Sequence, residues 1–355
     1  MYRPHLDALV ALHHELPAGG DLCWSPYSVA AALGLAAAGA RGITRDQLAA
    51  ALAPGGELAE LGRMLADSAA LPEAEVAVAN TLWMDRRLRF LDAYQQAVRE
   101  LPGGALRTAA FRDDPEGART EINDDVERTT RKLIQDLLGP GMITPETAAV
   151  IVNALYLKVA WLTPFEPAAT APAAFHAPSG TRPVPTMRQQ ESLRYATAGG
   201  WRMVTLPTPS RLVVDLLLPA EDGTPLTADL LVGLQQGGRP TKVDLWLPRF
   251  RVASSAILND PLRRLGVTAA FRSDQADFTG ITTEAQIFID WVVHKAVLRA
   301  DEQGFEGAAA TAVVMRMVSV DLSTPVPFHA DRPFLVLVRQ PSTGAVYFVA
   351  RVTEP

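Results

Sequence analysis

Residues 150–159 constrain the fold more than any other segment. They are apolar on both faces apart from Asn153 and Lys158, and a strand of that kind belongs in the middle of a sheet with cover above and below. Other segments sort around it. Ser25 precedes Pro26, a capping hydroxyl followed by a proline suited to the first helical position. The Ala/Leu-rich run from there to Ala40 is expected to be a buried helix. Helical spacing recurs over 44–52, 57–66 and 91–101, with Gly and Pro between. Residues 116–138 are expected to form a polar-faced helix that stops at Gly139-Pro140-Gly141. Strands are expected at 75–84, 201–206, 212–218, 243–250, 287–298, 334–338 and 346–352, with a turn at 341–344 joining the last two. Helices crowd the first 140 residues and strands the remainder, which predicts an α+β fold in a single domain over 1–355.

Composition narrows the function. Apolar residues make up 48% and charged residues 20% of the 355, enough for a large buried core. The net charge of −6 is spread along the chain and leaves no basic footprint for nucleic acid or a membrane surface. No apolar run is long enough to span a bilayer. The start, Met-Tyr-Arg-Pro-His-Leu-Asp, carries charge where a signal peptide needs an apolar centre. A cytoplasmic or unmodified prokaryotic protein is the simplest expectation, and a secreted one without its signal would read the same. Cys23 has no partner for a disulfide and reads as a buried, inert thiol. His13-His14-Glu15 reads as a solvated helix end, with no third ligand at a metal-site spacing. Ser25 and Ser192 lack a nucleophile elbow and no glycine-rich phosphate loop occurs, so neither an enzyme nor a cofactor is expected.

The segment 294–311 is built differently from an ordinary loop. It starts like a strand and passes through Gly304 into a tract of tiny side chains. Surface loops normally use Gly, Pro, Asn, Asp and Ser to turn, yet some fifteen residues here lack a turn signal. They alternate instead. Glu306 and Arg316 share one parity, whereas Phe305, Gly307, Ala309, Thr311, Val313, Met315 and Met317 share the other. As a strand, the segment would present one face without any charge.

At these residues the chain resembles the serpin family of serine-protease inhibitors. Trp24-Ser-Pro-Tyr-Ser-Val-Ala, Asn153-Ala-Leu-Tyr-Leu-Lys-Val-Ala-Trp161 with Phe165, Phe328-His-Ala-Asp-Arg-Pro-Phe334 and Thr343-Gly-Ala-Val-Tyr-Phe-Val-Ala-Arg-Val352 are similar to the family's motifs, in its order. The resemblance implies a large central mixed sheet, two smaller sheets, eight or nine helices and an exposed reactive loop over about 302–325. It implies suicide inhibition: a serine protease attacks the loop, forms a covalent acyl-enzyme and is trapped as the loop enters the sheet. Counting from Glu302, the attacked bond is Val318–Ser319, with Met317 and Arg316 as alternatives one and two residues upstream. Val318 and Met317 suit elastase-, chymotrypsin- or subtilisin-like proteases, and Arg316 a trypsin-like one.

By the same resemblance the hinge comprises Glu302, Gly304, Phe305, Glu306, Gly307, Ala308, Ala309, Ala310 and Thr311. Phe305 departs from the family's Thr or Ser and Gly307 from its Ala, so Phe305 either slows insertion or acts as a plug already in place. Trp161, Arg249 and Glu302 should meet where the loop enters the sheet. Ser25, Ser28, Asn153 and His294 should cluster beneath the central strands. The helix after residue 57 has only Arg63 as a cation, so heparin-type activation is not expected, and the inhibitor should act as a monomer. The competing reading is a serpin fold used as a binding or chaperone module, with a loop that never inserts.

Overall fold

The computed structural model describes residues 2–132, 134–221, 223–305 and 323–355. The expected loop positions Glu306, Gly307, Ala308, Ala309, Ala310, Thr311, Arg316, Met317, Val318 and Ser319 lie outside the described residues. Among the described residues are eight α-helices: α1 (Arg3–Glu15), α2 (Pro26–Gly39), α3 (Gly42–Leu52), α4 (Leu58–Asp67), α5 (Asp92–Arg99), α6 (Pro115–Thr129), α7 (Ala228–Gly237) and α8 (Asn259–Arg264). Strands β1 (Leu22–Trp24), β2 (Glu75–Asp85), β3 (Gly104–Ala109) and β4 (Ala149–Ala160) run among the first six. Next come β5 (Ala171–Ala177), β6 (Gly180–Ala198), β7 (Trp201–Pro207), β8 (Val213–Pro219), β9 (Arg239–Pro248) and β10 (Phe250–Ile257). The remainder are β11 (Ile289–Asp301), β12 (Gly304–Phe305), β13 (Val326–His329), β14 (Phe334–Arg339) and β15 (Val346–Val352).

The α+β class and the central mixed sheet are as expected. That sheet has the order β10-β11-β12-β4-β2-β3, with β4 buried at its centre and flanked by β2 and β11. β4 runs parallel to β11 and antiparallel to β2. The two smaller sheets run together through one strand. β6 is 19 residues long and pairs in turn with β5, β9 and β7, which joins nine strands in one sheet, eight along a continuous path from β1 to β13 and β5 beside it on β6.

Two apolar layers cover the central sheet. The main core lies on one face, and α2 runs through it, buried along nearly its whole length, as its all-round apolar sequence requires. The second core lies under α6, where Ala118, Ile122 and Val126 pack on Val150, Val152 and Ala154 of β4 and on Val293 and Val297 of β11.

The helix expected over 116–138 is shorter than its apolar pattern suggested. It ends at Thr129, and Arg131, Lys132 and Asp136 adopt positive φ. Side-chain bonds account for the stop. Thr130 Oγ1 donates to the Val126 carbonyl and accepts from the Ile134 N–H, while the Asn123 amide bonds both the N–H and the carbonyl of Leu138. The apolar residues Ile134, Leu137, Leu138 and Ile143 then join the second core as a strap instead of a helix face.

Candidate functional site

The seam between β4 and β11 organises the site. Their direct pairing runs from Ile289 beside Ala149 to Ala296 beside Leu155. At its base, Asp290 accepts from the N–H groups of Ala148 and Ala149. At the other end β12 slots between the same two strands, with Phe305 between Ala300 and Val159 and Gly304 between Asp301 and Ala160.

The top of the seam brings together Trp161, Arg249, Glu302, Gly304 and Phe305. The Glu302 carboxylate accepts from Arg249 Nε at 2.8 Å and Nη2 at 2.6 Å, and from Thr170 Oγ1 at 2.6 Å. Burial pushes this carboxyl up, but the Arg249 and Thr170 bonds outweigh burial and hold it below its ordinary pKa. Trp161 donates its indole N–H to the Asp301 carbonyl at 2.8 Å and its backbone N–H to Gln303 at 3.0 Å. The Phe305 ring is 0% exposed and lies 5.0 Å from the Trp161 ring, which meets Phe165 edge-on at 6.1 Å. Gly304 has no room for a side chain: a Cβ would stand 2.3 Å from the Val159 carbonyl, at φ 143°. The chain therefore enters the sheet at Phe305, in register and fully buried.

Deeper in the seam, Ser25, Ser28, Asn153 and His294 form a chain of hydrogen bonds. Asn153 and His294 are direct partners across β4 and β11. His294 Nε2 accepts from the Ser25 N–H at 3.0 Å, so the proton sits on Nδ1, which donates to Asn153 Oδ1. The Asn153 amide donates to Ser28 Oγ and Asn80 Oδ1, Ser28 Oγ donates to Asn80 Oδ1 at 3.1 Å, and the Ser25 hydroxyl caps α2. Asn80 was missed by the sequence reading, although it is a polar residue in the middle of an alternating strand and the direct partner of Asn153.

His13 corrects an expectation. It is not solvated: its ring stacks on Trp24 and its Nδ1 accepts the Trp24 indole N–H at 3.3 Å, while Glu15 is engaged by Arg264. Cys23 is buried, and burial pushes its thiol well above the usual range.

Three buried imidazoles share one design. His294, His13 and His5 each accept a fixed N–H, and burial drops their pKa values to about 3, about 4 and about 4. The unfolded chain takes up these protons near pH 6.5, whereas the folded one does not, so stability is full above that pH and falls below it. Each group is expected to cost about 2 kcal/mol by pH 5. Thermal unfolding measured from pH 7.5 to 4.5 should therefore show a midpoint that drops steadily below pH 6.5. A flat profile would contradict the neutral, acceptor role of these rings.

A two-sheet α+β fold with a two-residue strand held at the head of a closed parallel seam is the architecture of a serpin. A sequence model of that family, described as serine protease inhibitors, matches residues 7–355, and the chain belongs to the serpin family. Serpin-Z2A of Oryza sativa subsp. japonica is 32% identical, over 94% of this chain and 92% of its own. The crystal structure of uncleaved ovalbumin superposes with a TM-score of 0.88 at 25% identity, covering 100% of this chain and 99% of that one. Thyroxine-binding globulin in complex with thyroxine has the same fold, with a TM-score of 0.88 at 23% identity over 100% and 99% of the two chains. No helix among the described residues is long and apolar enough to cross a membrane.

Proposed function

We propose that this protein is a monomeric suicide inhibitor of serine proteases, with its reactive bond at Val318–Ser319. The target's serine attacks the Val318 carbonyl, the amine of Ser319 leaves, and Val318 stays esterified to the protease. The residues from 306 to 318 then follow Phe305 into the β4–β11 seam and carry the protease with them. Elastase-, chymotrypsin- or subtilisin-like enzymes fit the apolar Met317 and Val318. α4 carries Arg63 as its lone cation, already within reach of Glu60, so no polyanion such as heparin is needed for activity.

The register of β12 carries this reading. Phe305 pairs with Val159 on one side and Ala300 on the other. A strand continued in that register sets Thr311 between Asn153 and His294, where its hydroxyl can take up the bonds that parting the strands breaks. It sets Met315 opposite Ala149 at the base of β4, and Val318 three residues beyond. The charge-free parity faces the main core, as Phe305 already does. On the other face Glu306 arrives between Lys158 and Arg299. Lys158→Glu is therefore expected to slow insertion roughly fivefold, in keeping with about 1 kcal/mol for a cross-strand charge pair, seen as a higher inhibitor-to-protease ratio for full inhibition.

The direct test is incubation with elastase-, chymotrypsin- and subtilisin-like proteases, followed by denaturing electrophoresis and mass spectrometry of the released peptide. The expected result is an SDS-stable complex and a peptide beginning at Ser319. Absence of a complex with all of them would defeat the proposal.

A second reading has one observation behind it. A cavity of about 290 Å3 opens between the end of α1 and the sheet, lined by His14, Trp201, Pro225, Leu226, Phe334 and Arg351. With thyroxine-binding globulin among the structural neighbours, it suits a binding module whose loop stays outside.

A further inference from the structure

The cavity between the end of α1 and the nine-stranded sheet has an apolar part and a polar end. Trp201, Leu226 and Phe334, each at most 5% exposed, form the apolar walls. The Trp201 indole N–H is spent on the Pro225 carbonyl, so that ring offers no donor. No carboxylate lines the cavity among the described residues.

His13 and Arg351 form the polar end. Nδ1 of His13 accepts from Trp24, which is no part of the lining. The neutral ring therefore carries its proton on Nε2. That N–H has no acceptor among the described residues, and it keeps contact with solvent. The ring is 9% exposed and borders the cavity, its Nδ1 edge being the one turned to Trp24. Arg351 is half-buried beside it. Its Nε and Nη2 bond the carbonyls of Gly20, Pro17 and Gly19, which leaves Nη1 without a partner among the described residues. Burial holds this guanidinium below its usual pKa, and Asp21 offsets that only in part, so the charge is short of a counter-ion.

A spare donor next to an under-compensated cation rewards an anion, and aromatic walls reward a flat apolar body. At about 290 Å3 the cavity lies at the small end of ligand sites, about 300–1,000 Å3, and suits a molecule with one ring. We propose that it binds a small aromatic carboxylate, with the ring against Trp201 and Phe334 and the carboxylate accepting from His13 Nε2 and Arg351 Nη1. This rests on the binding reading of the cavity and gives it a ligand class. The site is separate from the β4–β11 seam and stands whether or not the loop inserts.

Calorimetric titration of the intact protein tests it with 3-phenylpropionate and its neutral counterpart, 3-phenylpropan-1-ol. The acid is expected to bind at about 0.1 mM, in keeping with its size, and the alcohol about tenfold more weakly, the loss of one charged contact. Arg351→Met keeps the stem and removes the charge, so it should bring the acid down to the alcohol and leave the alcohol unchanged. His14→Glu, at an exposed position on the lining, sets a like charge at the mouth. It should weaken the acid severalfold but not the alcohol, and it keeps the test open if Arg351→Met fails to fold. No saturable heat with either compound would overturn the proposal together with the binding reading of the cavity. An alcohol bound as tightly as the acid, or an acid unaffected by both substitutions, would overturn the carboxylate assignment and leave the cavity as a site for neutral ligands.

Discussion

A single cut between residues 306 and 322 is expected to raise the midpoint of thermal unfolding by roughly 15 °C. The estimate follows from the seam. Ten residues, 306 to 315, fit opposite β4 in the register that Gly304 and Phe305 already hold. Each uses its N–H and its carbonyl, alternate residues turning to β4 and to β11, for about twenty new ladder bonds, and the direct β4–β11 pairs now in place are lost. A net gain of about a dozen bonds at about 1 kcal/mol each is about 12 kcal/mol. A chain of this length unfolds with an entropy of about 0.75 kcal/mol per kelvin at about 2.1 cal/mol/K per residue, which converts that gain to roughly 15 °C. Differential scanning calorimetry before and after limited proteolysis measures it. Equal midpoints would mean that the loop stays outside, the behaviour of a binding module.

The second large effect is expected from His294→Ala. Removing the ring leaves the Ser25 N–H and Asn153 Oδ1 without partners in a fully buried place and opens a cavity between them. Two orphaned polar groups and a void amount to about 3–5 kcal/mol. Urea unfolding of the uncut protein should show that loss. Because the broken bonds tie β4 to β11, conversion to a loop-inserted form should also become faster, as it should in Asn153→Ala. Unchanged conversion in both variants would remove the gate from the mechanism. Thr311→Val provides the contrast: it should leave the uncut protein as stable as before and reduce the gain on cutting by about 1 °C, since one hydrogen bond is worth about 1 kcal/mol.

What could be read from the chain depended on which forces act locally. β4 was legible because a central strand must be apolar on both faces, and Asn153 stood out in it for the same reason. α2 was legible from Ser25-Pro26 and the apolar run that follows. β5 and β6 were not. Pro172, Pro183 and Pro185 interrupt the alternation there, and Pro172 and Pro185 prove to be direct partners across the two strands. The end of α6 was also hidden, because Ile134, Leu137 and Leu138 keep a helical spacing while tertiary bonds from Asn123 and Thr130 fold them back over the sheet. At the hinge, the sequence showed that Phe305 has the right parity to be buried, but left a plug and an obstacle as alternatives. The structure shows it already seated against Trp161. Thr170 and Asn80 come from strands and turns remote in sequence, and only the folded chain brings them to Glu302 and Asn153.

β9 ends at Pro248 and β10 begins at Phe250, so one residue, Arg249, separates strands that belong to different sheets. If the seam parts, β10 and β11 swing together as a leaf, and the bend they turn about is the backbone of Arg249. The guanidinium that grips Glu302 is thus carried on the pivot itself, where displacement is smallest. The clasp at the mouth can stay fastened while the leaf beneath it opens, which would keep the root of the loop anchored as the rest travels.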